Sequence, residues 1–150
     1  MICQSQALLK FFKDHNHDVA LLHQAVELLQ NAVLMSSGGD GNHQISQELL
    51  AAALITRFER LGDRIDLDTA INLRRSLLET YPPGDEGRFC AFIRLFADLS
   101  TRYEKYDEQS DLEDALSAVR SAMALRPQNE GLSTMEQRLQ QELDLKNQCE

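Results

Sequence analysis

The stretch RFERLGDRIDLDTAI runs from Arg57 to Ile71, and 45 residues later the chain reads RYEKYDEQSDLEDAL, from Arg102 to Leu116. Near-identity at a fixed offset is the mark of a repeated packing unit, and it sets the frame for the rest of the chain. Extended forward without a gap, the offset pairs Ala70 with Ala115, Ser76 with Ser121 and Pro82 with Pro127. Extended backward, it places Ala25 under Ala70 and Ala32 under Leu77. There are thus three repeats, at about residues 1–37, 44–82 and 85–127, the first degenerate, with Ser37 where the others carry proline.

Each repeat reads as two helices. In the second helix of repeat three, Leu112, Ala115, Leu116, Val119, Ala122 and Met123 recur at intervals of three and four, one apolar face of a 3.6-residue helix. Asp66 and Asp111 are the expected caps of the second helices, with Asp68, Glu113 and Asp114 in their first turns. Pro82 and Pro127 stop them. The first helices are expected over Gln47–Leu61, ended by Gly62, and over Glu86–Tyr106. The latter is apolar around a wide arc through Phe89, Phe92, Ile93, Phe96, Leu99 and Tyr103, so neighbours are expected on two sides. The glycine-rich run from Ser36 to His43 reads as a mobile loop. Beyond Pro127, Met135, Leu139 and Leu143 give one narrow apolar stripe, as a capping helix over about 130–146 requires, with Ser133 and Glu136 as a capping box. The expectation is one all-α domain over residues 1–150, an antiparallel helix-pair solenoid of about seven helices.

These repeats resemble the tetratricopeptide repeat. The resemblance is carried by Phe96, Leu99, Ser100, Tyr103, Ala115, Val119, Ala122 and Pro127 in repeat three, and by Ala51, Leu54, Ile55, Phe58, Ala70, Arg74, Leu77 and Pro82 in repeat two, where several positions depart from the pattern. In repeat one Leu9, Ala25, Leu29 and Ala32 remain, with Lys13 in place of the aromatic. The stretch RFERLGDRIDLDTAINLRRSLL is similar to the long 45-residue repeats found in tandem in many fungal multidomain proteins. The resemblance implies close helix contacts through the small residues, and aromatics filling the wedge between helix pairs. It also implies a groove lined by the first helix of each pair. Residues facing that groove would be Arg94, Ala97, Thr101, Glu104 and Lys105 in repeat three, and Leu49, Ala52, Thr56, Glu59 and Arg60 in repeat two.

Recurrence inside one chain argues for a structural role, so Arg57 with Arg102, and Asp66 with Asp111, are expected to form a shared salt link from the end of one helix into the next. Little in the chain suggests chemistry. His15, His17, Asp18 and His23 include metal-ligating types, but their spacing matches no established zinc pattern, so His15 and His17 are weak metal candidates. No nucleophile elbow is present, and Cys90 reads as a small buried hydrophobe. The run GGDG lacks the Lys-Ser/Thr of a phosphate loop. No catalytic residue or cofactor is expected.

The formal net charge is −9, and no cluster of bases is visible, which argues against nucleic-acid and anionic-membrane partners. The three cysteines, Cys3, Cys90 and Cys149, are widely spaced and form no disulfide framework. The opening MICQSQALLKFFKDHNHD becomes charged too soon for a signal peptide, and no segment approaches a membrane span. The expectation is a cytoplasmic interaction scaffold that binds a protein or peptide, of acidic character if Arg60, Arg94 and Lys105 line the groove. A homodimer, with the aromatic-rich helix as its surface, is the second reading. A small-molecule or catalytic role in a helical pocket is the third.

Overall fold

The computed structural model describes residues 19–36 and 41–148. They form six helices: α1 (Val19–Met35), α2 (Gly41–Leu61), α3 (Arg64–Thr80), α4 (Glu86–Tyr106), α5 (Gln109–Leu125) and α6 (Glu130–Gln148). The fold is all-α. The helix expected before α1 lies outside the described residues, as do His15, His17, Cys3 and Cys149. Contacts group the chain into two compact units, residues 1–80 and 81–150.

In the first unit α2 packs on both α1 and α3. The two-residue turn between α2 and α3 reverses the chain, so these two helices run antiparallel. The core is built from Val26 of α1, Leu50, Ala51, Ala53 and Leu54 of α2 and Ala70 of α3, with Leu29, Val33, Ile55 and Leu73 against it. Three alanines in succession, Ala51 to Ala53, are all buried. Their small size lets helices approach α2 on more than one side.

The second unit repeats the arrangement, with α4 on α5 and α6 on α5. Phe89, Val119, Ala122 and Leu132 form its core, flanked by Cys90, Phe92, Ile93, Phe96, Met123, Leu125 and Leu139. Fully burying a side chain such as Leu99 or Leu112 stabilises the fold by about 1.5–3 kcal/mol. Consecutive helices packed in this way within each unit are the local arrangement of a helical solenoid.

The helix ends show what the residues dictate and where the expected boundaries shift. Gly62 has φ 72° and donates its N–H to the Phe58 carbonyl at 2.8 Å, ending α2 in the left-handed conformation that glycine adopts without strain. At the equivalent place Asp107 has φ 55° and donates to the Tyr103 carbonyl at 2.7 Å. Only two residues separate each first helix from its second, so α3 starts at Arg64 and α5 at Gln109. Asp66 and Asp111 therefore lie inside the first turn and are not caps. Asp63 serves at the start of α3, accepting from the Ile65 N–H at 3.0 Å. Likewise α6 begins at Glu130, so Ser133 is internal and no capping box forms there; Asn129 accepts from the Leu132 N–H instead. Gly41 to His43 are helical rather than loop. His43 Nδ1 shares a 2.9 Å hydrogen bond with Ser36 Oγ.

Candidate functional site

The duplicated stretch folds into a duplicated clamp. Arg57 on α2 donates to both carboxylate oxygens of Asp66 on α3, at 2.7 and 2.6 Å. Arg102 on α4 does the same to Asp111 on α5, at 2.8 and 2.5 Å. Both aspartates are buried, 2% and 1% exposed. A planar guanidinium matches a carboxylate through two parallel bonds, which holds the end of one helix against the start of the next. The bond to Asp66 raises the Arg57 pKa, opposed by partial burial. Arg57 also donates to His23 Nδ1 at 3.2 Å, tying α1 to the same clamp. With both oxygens of each buried carboxylate held by its arginine, the clamps are structural.

A second buried ion pair was not visible in the repeat pattern. Arg74 on α3 donates to Glu48 on α2 at 2.7 Å, with side-chain exposures of 5% and 9%. Arg74 is one of the departures from the repeat template. The signal that could have found its partner is the residue pair that stands 45 positions on, Ile93 and Val119, both apolar.

The residues proposed to face a groove separate into two groups. In the first unit Thr56 is 4% exposed and gives its hydroxyl to the Ala52 carbonyl, so it is not part of an accessible surface. Ala52 is also buried, because α2 is packed from two sides; Glu59 and Arg60 are exposed at its end. In the second unit Ala97, Thr101, Glu104 and Lys105 are all exposed, with Arg94 half-buried on the same row. The Thr101 hydroxyl bonds back to the Ala97 carbonyl at 2.9 Å, leaving its methyl group and lone pairs outward. Among the repeat positions Phe58, Ala70, Leu99, Tyr103, Ala115 and Ala122 are buried and Phe96 is half-buried. Pro82 and Pro127 lie exposed just past the ends of α3 and α5.

Beside the exposed row of α4, a cleft of about 280 Å³ opens between α4, α5 and α6. Phe96, Leu112, Ala115, Met135 and Leu139 give it apolar walls, and Glu104, Arg138 and Glu142 contribute charged groups. Ser100 lines it with a buried hydroxyl oxygen that has no hydrogen-bond partner. Buried hydroxyls are nearly always satisfied, so this one marks a place where a bound group could add a bond. Tyr103 also lines the cleft. Burial, together with a hydrogen bond to Glu142, raises its pKa, keeping the phenol a neutral donor. Lys146 sits 5.2 Å from the Tyr103 ring and pairs with Asp107; that pair raises the Lys146 pKa.

No protein-family model matches the chain, and no curated protein or solved structure matches it. The tetratricopeptide resemblance therefore stands on the residues of this chain alone. Among the described residues no group of three or more His, Cys, Asp or Glu side chains could hold a metal ion. Among them, too, no helix is long and apolar enough to cross a membrane. The weak metal candidates His15 and His17 fall outside the described residues.

Proposed function

We propose that the chain is a protein-interaction scaffold, and that α4 carries the surface a partner reads. The supporting observation is the two-sided use of that helix. Phe89, Leu95 and Leu99 are buried, while Ala97, Thr101, Glu104 and Lys105 form an exposed row beside the cleft that holds the orphan Ser100 hydroxyl. A rigid helix presents such a row at low entropic cost.

The partner in this reading is a protein or peptide segment. One of its apolar side chains enters the cleft against Phe96, Leu112 and Leu139. A neighbouring polar group bonds Ser100. Carboxylates on the segment meet Arg94, Lys105 and Arg138. The net charge of −9 slows the approach of an acidic segment, so selectivity rests on short-range contacts.

The test uses a partner captured with the intact chain from a cell lysate, and a peptide derived from it. Ala97→Glu places bulk and charge on the exposed row, and Arg94→Ala removes a guanidinium. Each is expected to weaken binding by about 1–3 kcal/mol with helicity unchanged. Ser76→Glu, at an exposed position of the first unit, is expected to change nothing. Wild-type affinity in both α4 variants, or an equal loss in the Ser76 control, would sink the assignment.

A further inference from the structure

The most apolar exposed surface among the described residues is not on the aromatic-rich α4 but on α1. Leu22 and Val26 of α1 are buried, and Leu29 and Val33 lie on the core of the first unit. Turned away from them, Leu21, Leu28, Leu34 and Met35 are 59%, 70%, 81% and 87% exposed. Leu21, Leu28 and Met35 recur every seven residues, with exposed Gln24 and Asn31 three residues after each leucine. Seven-residue spacing keeps the three side chains on one side of the helix, with a drift of about 20° per step. The row is symmetric about Leu28, since Leu21 and Met35 each stand seven residues from it.

We infer that this row is a homodimer surface on which α1 of one copy pairs antiparallel with α1 of a second copy, Leu28 on Leu28 and Leu21 on Met35. Two features select a second copy as the occupant. The first is charge. A chain of net charge −9 repels its own copies, yet the seventeen residues of α1 hold a single acid, Glu27, and no Lys or Arg. This is the surface across which two copies meet with the least repulsion. The second is self-complementarity. A two-fold interface must pair a patch with itself, and a row symmetric about one leucine does so in the antiparallel sense, which also sets opposite helix dipole ends together.

The area sets the strength. A leucine-sized side chain carries on the order of 100 Å² of apolar surface. Leu21, Leu28 and Met35 amount to about two such surfaces per copy, so two copies cover roughly 400 Å² of apolar area. Gln24 and Asn31 add polar area, but the total stays below the lower edge of specific interfaces, about 1,200 Å². The dimer is therefore weak and forms with rising concentration. Added salt tightens it, because screening relieves the repulsion between two acidic chains.

Sedimentation equilibrium of the full chain, from low micromolar to millimolar, tests this together with cysteine cross-linking in a chain carrying Cys3→Ser, Cys90→Ala and Cys149→Ser. The expected results are reversible dimerisation that strengthens with salt and falls more than tenfold in Leu28→Glu. Leu28→Cys cross-links to itself on oxidation, and Leu21→Cys cross-links to Met35→Cys in a mixture of the two proteins. Circular dichroism checks that each variant keeps its helicity; with Leu28 70% exposed, no core contact is removed. A strict monomer at every concentration would overturn the inference. So would a dimer that survives Leu28→Glu and leaves Leu28→Cys unlinked.

Discussion

Repeats two and three carry the same clamp but differ at the position where their helices pack. In the first unit Glu48 on α2 and Arg74 on α3 form a buried ion pair. The residues 45 positions on are Ile93 on α4, half-buried, and Val119 on α5, wholly buried in an apolar core. One chain thus contains two solutions to a single packing problem. Burying two charges costs desolvation that their attraction and hydrogen bonds only offset, whereas an apolar pair carries no such cost. The clamp is retained in both repeats because its arginines stay partly hydrated, 19% and 14% exposed at the side chain, while each carboxylate accepts two bonds. The lesson is that repetition preserves the contact that sets the turn between helices and tolerates exchange at the contact that fills the space between them.

The sharpest way to break this comparison is to disturb one member of the Glu48–Arg74 pair. Arg74→Ala takes the guanidinium from a buried carboxylate and should destabilise the first unit by about 3–5 kcal/mol. The double variant Glu48→Ile with Arg74→Val installs the residues of the later repeat. It should be neutral or more stable than the wild type by up to about 4 kcal/mol. Urea unfolding followed by hydrogen exchange resolved to each unit measures both. A double variant as damaged as Arg74→Ala would show that the two repeats are not interchangeable here.

The clamps should behave alike. Asp66→Asn and Asp111→Asn each keep shape and remove charge, and each should cost about 1.5–3 kcal/mol, the worth of hydrogen bonds to a charged group. Denaturant midpoints that differ widely between the two would end the claim that the clamps are equivalent.

The smallest effects are expected at the turns. Gly62→Ala forces a side chain into the left-handed region and should cost about 1–2 kcal/mol. Asp107→Gly relieves the same strain in the second unit, φ 55°, and removes the exposed, solvent-screened pair with Lys146. A small net gain is the expected outcome in a thermal melt. A large loss would show that the Asp107–Lys146 pair holds α6 in place.

Much of this was readable in the residues. The 45-residue offset located both clamps before any geometry was known, because a bidentate Arg–Asp contact needs the same two residues at the same separation every time. Gly62 marked the end of α2, since few other residues take that backbone conformation. Glu86 and Tyr106 bound α4 as the apolar pattern indicated.

The candidate site was less legible. Equivalent residues Ala52 and Ala97, or Thr56 and Thr101, are identical in type and opposite in exposure. Periodicity says which residues share a helix face; it does not say whether another helix covers that face. That depends on which neighbouring helices pack on it, which local spacing does not encode. The cleft at Ser100 needed three helices at once, so no single stretch announced it. The short turns at residues 62–63 and 107–108 place Asp66 and Asp111 inside the first turns of α3 and α5 rather than at their caps. Sequence alone determined the repeat, its helices and its recurring polar contacts, since these rest on local periodicity and on duplicated residue types. Tertiary structure alone decided which copies of those residues reach solvent, since exposure is set by neighbours that the repeat does not specify.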